Sequence, residues 1–94
     1  MLKMKGPFNF NRESVYYVPS KKGVFILADE NNEVLFVGSV DNDLSAALSK
    51  ALSEHVPASR FWYLDTWSKE KMKSLTNALL QRYPAARSVR AQTE

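Results

Sequence analysis

The sequence predicts an α+β domain: a small, mostly antiparallel three-stranded sheet, made of a β-hairpin and one further strand, flanked by helices. Three observations carry this prediction. Residues 24–28 and 33–37 are β-branched and aromatic runs joined by Asp29-Glu30-Asn31-Asn32, and residues 60–64 form a third such run. The segments after Asp43 and after Ser68 instead repeat apolar residues at helical spacing.

Taken in chain order, Val15-Tyr16-Tyr17-Val18 reads as a short strand or extended lead-in, stopped by Pro19-Ser20-Lys21-Lys22-Gly23. The hairpin follows, its asparagines tolerating the positive φ that a tight turn requires. Gly38 is expected to end the second strand. Asp41, Asn42 or Asp43 then caps a helix that buries Leu44, Ala47, Leu48, Ala51 and Leu52. In Arg60-Phe61-Trp62-Tyr63-Leu64, alternation places Phe61 and Tyr63 on one sheet face and Trp62 and Leu64 on the other. Ser68 caps a second helix with Met72, Leu75, Leu79 and Tyr83 along one stripe, and Pro84 forbids its continuation.

The 94 residues suffice for one domain, with its core expected over 14–86 and with 1–13 and 87–94 flexible or loosely docked. The absence of cysteine excludes disulfides, thiol catalysis and Cys-ligated metal centres. The apolar runs fall far short of the ~20 residues of a membrane helix, so a soluble, cytoplasmic protein with no membrane partner is expected. Net charge is +3, but unevenly spread: residues 1–28 and 55–94 each carry +4, whereas residues 29–54 carry −5. A polyanion would avoid the middle of the chain.

Gly23-Val24-Phe25, about ten residues of hairpin, then Phe36-Val37-Gly38-Ser39 and an amphipathic helix resemble the start of the GIY-YIG nuclease superfamily. Leu79-Leu80-Gln81-Arg82-Tyr83-Pro84 resembles the end of that family's later helix. The resemblance spans roughly residues 23–86. It implies metal-assisted phosphodiester hydrolysis using a tyrosine near the nucleophile, a helix arginine for the phosphate and a helix glutamate for a divalent cation. Carried onto this sequence, the tyrosines of the two motifs fall on Phe25 and Phe36, the arginine on Ala47 and the glutamate on Thr76. A phenyl ring neither gives nor takes a proton, alanine clamps no phosphate, and a lone hydroxyl does not hold a divalent ion as a carboxylate does. Within one turn of Ala47 the only basic side chain is Lys50, and Glu70 lies nearly two turns before Thr76. The expectation is therefore a catalytically inactive member without metal or other cofactor. Its former active-site positions are Phe25, Phe36, Gly38, Ala47 and Thr76, and Phe25, Phe36, Ala47 and Thr76 would line an apolar cleft that meets a protein partner or a second copy of the chain.

The alternatives are a non-cleaving DNA- or RNA-binding protein and a nuclease with a relocated site. For nucleic acid, the candidates are Lys69, Lys73, Arg82, Arg87 and Arg90, with Trp67 as a stacking ring; the bland reading of these cations is a solvated polar face. Tyr16 and Tyr17 are expected to be exposed or half-exposed. His55, the single histidine, has no partner in sequence for base or metal chemistry and reads as a helix-end or loop residue. An enzyme of unrelated chemistry has no supporting constellation.

Overall fold

The computed structural model describes residues 4–66, 68–84 and 86–91, the last five of these by their backbone only. The elements are β1 (Lys5–Asn9), α1 (Arg12–Tyr16), β2 (Gly23–Ala28), β3 (Val34–Val40), α2 (Leu44–Ser53), β4 (Arg60–Asp65), α3 (Lys69–Arg82) and β5 (Arg87–Ala91). The sheet has five strands, not three, in the order β1-β4-β2-β3-β5. β1, β4, β2 and β3 are antiparallel neighbours, and β5 lies parallel to β3.

Both added strands come from segments expected to be loosely docked. Lys5 pairs with Tyr63 and Phe8 with Phe61, while Phe36 to Val40 pair with Arg87 to Ala91. Neither run looks like a strand: the first contains Gly6-Pro7, and the second, Arg-Ser-Val-Arg-Ala, has only one β-branched residue. Each is recruited by a neighbour that would otherwise be a bare edge.

The segment around Val15 is also corrected. It is the short helix α1, because Asn11 accepts a hydrogen bond from the Ser14 amide at 2.9 Å and caps the turn, with Glu13 beside it. Val15 and Val18, three apart, are thereby both driven into the core, and this burial overrides the strand propensity of the Val-Tyr-Tyr-Val run.

The hairpin turns as expected. The Asp29 carboxylate accepts from the amides of Asn31 and Glu33, and Asn32 adopts φ 63°. Leu35 is an extra residue in β3, since Leu27 faces Phe36 and Ala28 faces Val34. Asp43 caps α2 through the Ala46 amide at 3.0 Å, and Ser68 caps α3 through the Lys71 amide at 3.3 Å. His55 sits exposed just beyond α2 with φ 55°.

The sheet separates two apolar layers. On one face Phe25, Leu27, Val40, Phe61 and Tyr63 meet Val15, Val18, Leu44, Ala47 and Leu48 from the α1 and α2 side. On the other, Val24, Ile26 and Val37 meet Met72, Leu75 and Leu79 of α3. Trp62 and Leu64 pack with the second layer, so the alternation read in β4 places all four side chains as expected.

Gly38 does not end its strand. It lies inside β3 directly opposite Phe25, and a Cβ there would overlap the Phe25 ring. The phenyl group covers the bare backbone that glycine leaves. Gly38→Ala is expected to cost about 1–3 kcal/mol through overpacking. In a double-mutant cycle followed by urea unfolding, Phe25→Leu should relieve most of that penalty; additive losses would show that the ring and the glycine are not coupled.

Candidate functional site

The positions singled out by the motif pattern do not converge. Phe25 and Ala47 are 1% and 3% exposed, inside the α1 and α2 layer, and Phe36 is half-buried against that layer. Thr76 is on α3, across the sheet, where its hydroxyl donates to the Met72 carbonyl at 2.8 Å. The expected apolar cleft lined by all four is therefore corrected: three belong to a filled core layer, and the fourth is separated from them by the sheet. Lys50 is exposed and 4.0 Å from Glu54 one turn on. Among the described residues, no three of His, Cys, Asp and Glu gather as a cation site would require.

The cations named for nucleic acid are also divided. Lys69, Lys73 and Arg82 are all exposed on α3. At ~100° per residue, however, Lys73 and Arg82 project about half a turn apart, on opposite flanks of the stripe formed by Met72, Leu75 and Leu79. They do not make one basic stripe. Arg87 and Arg90 are on the outermost strand β5, with only their backbone described, and Trp67 lies outside the described residues.

A different surface is concentrated instead. The three exposed large hydrophobic residues among those described are Phe8, Tyr16 and Tyr17, exposed by 38%, 80% and 77%. Tyr16 and Tyr17 meet edge to face at 5.5 Å. Tyr17, Phe8, Val18 and Tyr63 line a shallow depression with Glu13 and Ser14 on its rim, and Phe8 stacks on Tyr63 at 5.9 Å. Lys5 places its ammonium 5.7 Å from the Tyr63 ring centre. The exposure of Tyr16 and Tyr17 agrees with the expectation for them. Phe8 and the convergence on Tyr63 depend on β1 and α1, neither of which the residue pattern reveals.

The Phe25 environment has a direct consequence. Its ring is surrounded by apolar side chains, so Phe25→Tyr would add a hydroxyl to a buried, water-free position rather than to a wet site. Thermal or urea unfolding should show a loss of about 1–3 kcal/mol. Unchanged stability would mean that the hydroxyl finds a partner or reaches solvent.

No protein-family model matches the chain, and no curated protein matches it. Solved structures do. Three crystal structures of the GIY-YIG N-terminal endonuclease domain of UvrC from Thermotoga maritima, each a point mutant bound to its catalytic divalent cation, superpose with TM-scores of 0.65–0.66 at 17–18% identity. The matches cover 78% of this chain and 88–89% of those domains. The chain thus has the α+β fold of a GIY-YIG endonuclease domain, as the motif resemblance implied.

Proposed function

We propose that this chain is a non-cleaving GIY-YIG-like domain that serves as a binding or protein-interaction module. The observation that carries the reading is the use made of the motif aromatics. Phe25 is packing material laid over Gly38, Phe36 is packed against the same layer, and neither carries a group that can transfer a proton. Two of the UvrC domains that match are tyrosine-to-phenylalanine mutants still bound to their cation, so loss of a phenol does not by itself argue against a metal. The stronger argument is the missing carboxylate. Thr76 stands where the motif resemblance puts the glutamate, its hydroxyl is engaged by its own helix, and no acidic cluster among the described residues takes over. The residues present do not fit the divalent cation that the fold family implies.

For the partner, the aromatic surface of Phe8, Tyr16 and Tyr17 supports a protein interaction. Large aromatic rings with few torsions are favoured at interfaces, and here three adjoin, the two tyrosines adding a polar hydroxyl each. Nucleic acid is the weaker reading, given the division of the α3 cations over two flanks.

The deciding experiment incubates the chain with single- and double-stranded DNA and RNA in Mg²⁺ and Mn²⁺, and follows fluorescence anisotropy of the same labelled strands at two salt concentrations. No cleavage and flat titrations are expected. Cutting abolished by Thr76 or Lys50 substitution would overturn the non-cleaving reading. Tight, steeply salt-dependent binding lost with Lys69, Lys73 and Arg82 would replace the protein partner with nucleic acid. In parallel, sedimentation at rising concentration and hydrophobic-dye binding are expected to show self-association or a dye-accessible surface, reduced in Tyr16→Ser/Tyr17→Ser. A strictly monomeric chain that binds no dye would count against the module.

A further inference from the structure

The α3 face carries a second concavity of about 380 Å³, away from the aromatic surface described above and independent of the function proposed from it. Its position follows from β-strand alternation. Ile26 and Trp62, cross-strand partners in β2 and β4, both project toward α3, and Leu79 and Tyr83 descend onto them from the helix. Trp62 and Tyr83 are each only half-buried, so part of each ring remains open.

The rim is cationic. Arg82 lines the cavity with its guanidinium 5.8 Å from the Tyr83 ring centre. Asn32, held at positive φ in the hairpin turn, also lines it and accepts a hydrogen bond from Arg60 Nη1 at 3.1 Å. Arg60 is two residues before Trp62 and shares its sheet face. Among the described residues, neither arginine has a carboxylate within 4.0 Å; Glu33, next to Asn32, is exposed and pairs with neither. One guanidinium, that of Arg82, thus lines a floor of Trp, Tyr and aliphatic side chains, and a second, that of Arg60, is held beside the rim by Asn32, neither with an acidic partner among the described residues.

We propose that this cavity binds a small planar anion: an aromatic ring that lies against Trp62 and Tyr83 and carries a carboxylate or phosphate directed to Arg82 and Arg60. The volume is at the small end of the ~300–1,000 Å³ usual for ligand sites, which suits one ring system rather than an oligomer. Guanidinium forks match carboxylate and phosphate oxygens in pairs, and an exposed face of tryptophan or tyrosine stacks with any planar π-system. The two halves of the ligand therefore answer to two halves of the cavity.

The test titrates the intact chain by calorimetry with adenosine 5′-monophosphate and with 2-naphthoate. Adenosine and 2-naphthamide serve as uncharged counterparts, and inorganic phosphate as the anion without a ring. Saturable one-to-one binding of at least one aromatic anion is expected, with its neutral counterpart and phosphate each about tenfold weaker or worse. The anion that binds distinguishes a nucleotide from an aryl carboxylate source. Arg82→Gln changes an exposed side chain at the helix end, and it and Arg60→Gln should each weaken that binding about tenfold. The proposal is overturned if neither anion binds, if a neutral compound or phosphate alone binds as tightly, or if neither arginine substitution changes the affinity.

Discussion

Phe25 lying across Gly38 is the contact around which the rest of the domain is arranged. The two residues face each other in adjacent strands at the middle of the five-stranded sheet, and the ring fills the space left by the missing side chain. With the ring flat on β3, Ala47 and Leu48 of α2 can close over that sheet face as a small residue and a large one. β3 runs on past this glycine to Val40, and its residues from Phe36 to Val40 pair with β5. Gly23 serves a related purpose at the start of β2, where a side chain would collide with the Leu64 carbonyl and with Leu44.

The same contact defines what the motif aromatic contributes to the fold, independently of any reaction. An aromatic residue opposite a glycine is a packing requirement that phenylalanine meets as fully as tyrosine. The hydroxyl, by contrast, matters only to a reaction. Phe25 and Gly38 thus form a structural pair whose packing needs no hydroxyl, and Ala47 completes a layer in which a charged side chain would have to be desolvated. The motifs report the fold more directly than the activity.

What was legible in the residues follows the same division. The hairpin, β4, α2 and α3 each carry a local code: Asn at the turn, strict alternation, or a cap followed by apolar spacing of three and four. All four form where that code places them, except that the hairpin's second strand runs past Gly38 to Val40. β1, α1 and β5 carry no such code. β1 contains Gly6 and Pro7, α1 is a five-residue helix that ends in the β-prone Val15-Tyr16 and is turned by the Asn11 cap, and β5 is an Arg-Ser-Val-Arg-Ala run that becomes a strand only beside β3. The candidate site fared less well for a geometric reason. Spacing along the chain places Phe25, Ala47 and Thr76 on their own elements, but not on a face of the sheet, and the sheet divides them. Likewise the list of α3 cations conceals that nine residues of helix carry Arg82 to the flank opposite Lys73.

Those unreadable elements are the ones that build the surface. β1 brings Phe8 onto Tyr63, and α1, by burying Val15 and Val18, turns Tyr16 and Tyr17 outward on the same turn. Val15, inside α1, and Val18, just beyond its end, both enter the core, which leaves the two tyrosines between them facing out. On the far face, α3 is long enough to cover Val24, Ile26 and Val37 but ends at Tyr83 over the hairpin end of the sheet, leaving Trp62 partly uncovered. The chain thus places its open aromatic surface where secondary structure runs out on each side of a well-filled sheet. At those ends, rather than at Phe25 and Ala47 in the filled core, the side chains retain room to meet another molecule.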